Sequence, residues 1–195
     1  QPVGKGLEHD GGVVVVGTLE ALGYLVLADA CGDREAADVV SEPAVARRDE
    51  IAQRGIGAAL LSAYRDTGYH VVANARSIGQ SDDASTLAVD GDITSVKTAD
   101  RIVRLAIERF GRIDTLINNA GVFIAKPFTE YFEADFGAMI GVNLAGFFYL
   151  TQRVAARMLL AGSGHIVNIT ATIAEQPMAS LAAALAALTK GGLNA

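Results

Sequence analysis

From about residue 55 onward, helical and strand patterns alternate along the chain. That order limits the fold more than any other feature, because alternating elements build a parallel sheet with helices on both faces. Gly57 to Thr67 carries Ala58, Leu60, Leu61 and Tyr64 at helical spacing, and Gly68 ends this stretch before the apolar strand His70 to Ala73. Thr86 to Val89 reads as a short strand. Val96 to Phe110 reads as an amphipathic helix through Ile102, Val103, Leu105, Ala106, Ile107 and Phe110, stopped by Gly111. A strand over Thr115 to Asn118, a long helix from about Ala134 to Leu160, a buried strand over Gly164 to Thr170 and a last helix from near Ala182 complete the series. With both sheet faces covered, strand residues need not alternate, and Val71, Val72, Leu116, Ile117, Ile166, Val167 and Ile169 are expected at the buried centre.

Residues 1–54 fit this rhythm poorly and read as a divergent N-terminal segment ahead of a domain over 55–195. Val13 to Val16 followed by Gly17 resembles a first buried strand ending in a turn. Pro43 and the charged run Arg47 to Glu50 make a buried strand just before Gly55 costly. Gly23 to Asp29 echoes Gly68 to Asn74, a similarity that two short apolar strands reach by chance. The chain begins at Gln1 and stops at Ala195 inside a helical pattern, so both ends read as cut points.

A length of 195 residues with 51% hydrophobic content suits one domain with a sizeable core. The formal net charge of −6 opposes attraction to nucleic acid or to an anionic membrane, which leaves a small molecule as the expected ligand. Cys31 is the only cysteine, so no disulfide forms within the chain and a reducing compartment is expected. His9, His70 and His165 lack metal-ligand spacing, and no metal is assigned. No apolar run approaches the roughly 20 residues that span a bilayer, and no basic-then-apolar leader opens the chain, so the cytosol is the expected location.

The most specific motif is Asp114 to Gly121, where an apolar strand runs straight into Asn118, Asn119, Ala120 and Gly121. Asparagine amides at a strand end can tie neighbouring strands together, and Ala-Gly lets a flat ligand approach the backbone. This run resembles the hallmark of the short-chain dehydrogenase/reductase family. Further motifs match in the family's order: Gly55-Ile56-Gly57, Gly91-Asp92-Ile93-Thr94, Val142-Asn143-Leu144 and Thr189-Lys190-Gly191. The resemblance covers roughly residues 54 to 195. It implies an α/β fold, a Rossmann-type doubly wound parallel sheet that is incomplete at the C-terminal edge, and a homo-oligomer whose usual interface is incomplete.

The resemblance also implies roles. Gly55, Ile56 and Gly57 would face a pyrophosphate at a helix N-terminus, although Ile51 stands where the family has another glycine. Arg54 and Arg76 would meet a ribose 2′-phosphate, with Ala75 where a carboxylate would favour a free hydroxyl, so NADP is the expected cofactor and NAD the alternative. Asp92, with Ile93 beside it, would meet the adenine amine or else serve as a turn aspartate. Asn119, Ala120 and Gly121 would line the dinucleotide. Asn143 would support Lys190, which holds the nicotinamide ribose in the family. The family's tyrosine and serine positions are Ala186 and Ala171, leaving Thr172 or water to supply a hydroxyl. Two functions follow: an NADP-linked oxidoreductase acting on a carbonyl or alcohol, or a non-catalytic nucleotide-binding or partner-binding domain of the same fold.

Overall fold

A computed structural model of the protein describes residues 12–17 and 55–195. Arg54, Ile51, Cys31, His9 and the segment Gly23 to Asp29 lie outside the described residues. The strands are β1 (Val13–Gly17), β2 (His70–Ala75), β3 (Thr86–Asp90), β4 (Thr115–Asn118) and β5 (His165–Asn168), and they form one sheet in the order β3-β2-β1-β4-β5. Every pairing is parallel. The helices are α1 (Gly55–Asp66), α2 (Val96–Phe110), α3 (Glu133–Ile140), α4 (Phe147–Ala161) and α5 (Ala184–Gly191).

The central strand shows why the sheet is doubly wound. Val13 to Val16 are each no more than 1% exposed, since β2 and β4 flank the strand and helices cover both faces. Val13 and Val15 join Ile102, Leu150 and Val154 on the α2/α4 side, whereas Val14 and Val16 join Leu61 on the α1 side. A run of β-branched residues suits this position, where each alternate side chain meets its own apolar layer. Gly111, in the left-handed region at φ 78°, ends α2 and donates its N–H to the Ile107 carbonyl.

Chain order reverses between β1 and β4, because β2 and β3 were laid down on one side of β1 and β4 on the other. A reversal of this kind opens a crevice beyond the carboxyl ends of the two strands, the place where open α/β sheets bind ligands.

Three expectations need correction. β5 is an edge strand among the described residues, bonded only to β4, so Ile166 is 37% exposed and Val167 and Ile169 are half-buried instead of central. The long helix is not uniform: α3 passes through a π turn at Gly141–Gly146 before α4 begins. Finally, Glu133–Ala161 forms a continuous helical stretch of 29 residues, long and apolar enough by length and composition to cross a membrane. Asn143, Thr151 to Arg153 and Arg157 interrupt its apolar residues, so it holds no unbroken apolar run of about 20 residues. In this fold its buried Leu150, Val154 and Met158, spaced four apart, pack with α2 and the sheet.

Candidate active site

The carboxyl end of β4 is built from side-chain amides. Asn118 Nδ2 donates to Asn168 Oδ1 and to Thr151 Oγ1, each at 3.0 Å, which locks β4 to β5 and to α4. On the other side of the sheet, the buried Asn74 donates to the carbonyls of Val89 and Gly91 and ties β2 to the end of β3. Asn143 is 1% exposed and projects from the π turn. Its Oδ1 accepts from Val122 N at 2.8 Å, while Nδ2 donates to Val122 O at 3.0 Å and Thr189 Oγ1 at 2.9 Å. The loop after β4 is thus pinned through both backbone groups of Val122 to the helix that carries the lysine. Buried polar groups must be paired, and the π turn supplies the aim that an α-helical register would not.

The π turn also sits hard against the β3–α2 connection. A Cβ at Gly146 would lie 2.9 Å from Ile93 Cγ2, so the turn can approach only through a glycine, and Ile93 is 4% exposed as a result.

Lys190 Nζ donates to the Ile169 carbonyl at 2.9 Å, and no acidic side chain among the described residues forms an ion pair with it. Burial pushes its ammonium group below the ordinary lysine pKa, since the charged form loses water there. A Cβ at Gly121 would stand 2.9 Å from Nζ and 3.5 Å from Asn143 Oδ1. The side-chain-free Gly121 therefore lies directly beside the amine, and Asn143, Gly121 and Lys190 form one cluster at the crevice.

Residues 52–194 match the short chain dehydrogenase family. The chain belongs to the short-chain dehydrogenase/reductase family. An oxidoreductase of Methylorubrum extorquens is 33% identical over 154 residues, covering 74% of this chain and 60% of the relative. A 3-oxoacyl-[acyl-carrier-protein] reductase of Synechocystis is 33% identical over 129 residues, 61% of this chain and 52% of the relative. Among solved structures, a short-chain dehydrogenase/reductase from Serratia marcescens superposes with a TM-score of 0.68 at 26% identity, covering 94% of this chain and 67% of that one. The chain spans 52% to 60% of the length of these two curated relatives.

Measured against the family pattern, the catalytic side departs from it. Ala186 is 1% exposed and lies in an apolar cluster with Met139, Ile173, Ala183 and Leu185, against which Ala171 also packs. Ala186 and Ala171, the positions to which the resemblance assigns the family's tyrosine and serine, present only methyl groups. Thr172 is exposed at the start of a 3-10 turn, its carbonyl accepting from Glu175 and Gln176, and its hydroxyl forms no hydrogen bond to Lys190 or Asn143. On the nucleotide side, α1 starts at Gly55 and carries Ile56, exposed, and Gly57, buried. Arg76 is exposed after β2, and Ala75 is fully buried. Asp92 Oδ1 accepts from Thr94 N at 2.8 Å, so this carboxylate does shape the turn while remaining exposed. Asn119 is 3% exposed, and Ala120 packs partly against the α2/α4 core layer. Sequence reasoning missed Thr189, Thr151 and the Ile169 carbonyl as partners of Asn143, Asn118 and Lys190, and only Thr189 had a signal, an asparagine in an apolar helix that demanded something polar nearby.

Proposed function

We propose that this chain supplies the dinucleotide-binding and lysine side of an NADP-dependent oxidoreductase that moves hydride between the nicotinamide and a carbonyl or alcohol carbon. The observation that carries the reading is the Asn143–Gly121–Lys190 cluster at the switch point of the sheet. The residues fit a dinucleotide: Gly121 leaves flat backbone that a side chain would block, and the half-buried amine beside it suits ribose hydroxyls. When bound, the dinucleotide supplies the hydride. Lys190 holds the ribose and keeps a positive field over the crevice, Asn143 fixes the lysine helix against Val122, and Asn119, Ala120 and Gly121 line the dinucleotide. The turn at Gly55, Ile56 and Gly57 addresses its pyrophosphate, and Asp92 and Ile93 meet the adenine side. Arg54 and Arg76 meet the 2′-phosphate, each such charge-assisted contact contributing about 1.5–3 kcal/mol. Proton transfer falls to Thr172 or to water. The substrate is a small molecule, the net negative charge opposes nucleic acid, the location is the cytosol, and any homo-oligomer forms with the family's usual interface incomplete.

Calorimetry should show NADPH binding more tightly than NADH, and Lys190→Ala should weaken both. Equal affinities would remove the NADP assignment. A second reading, a nucleotide-binding domain without turnover, is favoured by the apolar packing of Ala186 and Ala171. It predicts NADPH binding with no substrate-dependent loss of NADPH absorbance across a panel of aldehydes and ketones.

A further inference from the structure

A cavity of about 210 Å³ lies between the loop that holds Lys126 and Phe128 and the segment from Ile173 to Ala187. Three of its lining residues, Ile173, Ala183 and Ala187, belong to or pack on the same apolar cluster as Ala171 and Ala186. The cavity therefore adjoins the apolar cluster that contains Ala186 and on which Ala171 packs. Phe128, Met178 and Leu181 add apolar wall, and the exposed Phe128 and Met178 stand at its mouth.

Lys126 is the single charged residue in the lining. Its Nζ is 2.6 Å from Asp135 Oδ2 and 4.9 Å from the centre of the Phe132 ring, so a carboxylate and an aromatic face already compensate the cation. Asp135 also accepts from Phe132 N at 2.9 Å, which fixes the carboxylate in that place.

We propose that this cavity selects the substrate, resting on the oxidoreductase reading above: it takes the uncharged apolar substituent of a carbonyl compound or alcohol, and the Lys126–Asp135 pair is the device that excludes an anionic one. The size sets a limit. An apolar cavity of about 150 Å³ is enough for benzene, so this one takes a single ring or a short alkyl chain, and it falls below the roughly 300–1,000 Å³ typical of sites for larger ligands. An incoming carboxylate meets a cation that already has a fixed partner and sits next to that partner's negative charge. Removing the Asp135 charge would leave Lys126 to pair with the ligand.

The test uses the full chain and two alcohols, benzyl alcohol and 4-(hydroxymethyl)benzoate, with binding read by saturation-transfer NMR and NADPH binding read by calorimetry on the same samples. The protein should bind benzyl alcohol at least about tenfold more tightly than the benzoate. Asp135→Asn, which keeps the acceptor for Phe132 N, should raise benzoate affinity about tenfold, the scale of one charge-assisted contact. Ala182→Phe, placed at an exposed lining residue so that the core is untouched, should abolish binding of both alcohols and leave NADPH affinity unchanged. Equal affinity for the two alcohols, or binding indifferent to Ala182→Phe, would overturn the proposal. If NADPH fails to bind while the alcohol selectivity holds, the cofactor reading falls and the cavity assignment stands.

Discussion

The two walls of the crevice are built on opposite principles. At the polar wall, Asn118 ties β4 to Asn168 and Thr151, and Asn143 ties the loop at Val122 to Thr189, and the result is a frame that places Gly121 and Lys190. At the apolar wall, Ala186, one helical turn before that lysine, shares a cluster with Ala183, Met139 and Ile173, against which Ala171 packs. Holding a dinucleotide needs the first wall, whereas giving a proton to a carbonyl oxygen needs a donor on the second. On the proposed reading, this chain keeps the frame and leaves proton transfer to Thr172 or water, so binding should survive better than turnover.

The largest effect that would break the contrast is restoration of the donor. Ala186→Tyr should raise NADPH-dependent reduction of a small aldehyde by about 10²- to 10⁴-fold, the usual contribution of a positioned general acid. Because Ala186 is 1% exposed, overpacking should cost about 1–3 kcal/mol of stability, read in urea unfolding. No gain in rate from a folded variant would mean that the apolar wall cannot orient a phenol toward Lys190.

Next in size is removal of the frame. Asn143→Ala deletes the partner of Val122 N, Val122 O and Thr189 Oγ1 together. Leaving such groups unpaired in a buried site costs roughly 1–3 kcal/mol for each one that finds no water, so a total loss of about 3–5 kcal/mol is expected in chemical denaturation. A loss below about 1 kcal/mol would show that the frame is dispensable.

A smaller effect concerns the lysine itself. Its pKa is lowered in the folded state, so between that value and the ordinary lysine range the unfolded chain binds the extra proton. Stability should therefore rise with pH through that window, and Lys190→Met should flatten the rise. A pH-stability curve identical for the two proteins would mean the amine is solvated.

The smallest lies at the cavity mouth. The hydrogen bond from Lys126, followed by that from Phe132 N–H, holds Asp135 below the usual carboxylate range. A depressed carboxylate stabilises above its unfolded pKa and loses that contribution as pH falls through the folded one, so Asp135→Asn should lessen the acid sensitivity of the native state slightly. Thermal melts between about pH 2 and 5 would show it.

How much of this could be read from residue order differs between these same walls. The sheet was legible because strands buried on both faces are apolar runs, and β4 announces its own end with Asn118 and Asn119. Helix α2 could be bounded at both ends, since its apolar spacing is regular and Gly111 stops it. β5 misled for a reason of neighbourhood: His165 to Asn168 has the composition of an interior strand but, among the described residues, has β4 on one side only. The cavity was invisible. Its lining comes from separate stretches, one of them rich in alanine, and alanines carry no signal of whether the space beside them is filled.

The π turn at Gly141–Gly146 has a consequence for how the chain can change. Each residue of an α-helix advances the facing direction by about 100°. The wider turn sets the phase between Asn143, which faces Val122, and Leu150, Val154 and Met158, which face the sheet. Loss of one residue there would shift that phase, and either the amide or the apolar stripe would swing away from its target. Side chains in the segment can be exchanged singly, but its length cannot drift. The stretch acts as a gear tooth between two helices, and an insertion or deletion of one codon would be felt at both the nucleotide crevice and the hydrophobic layer at once.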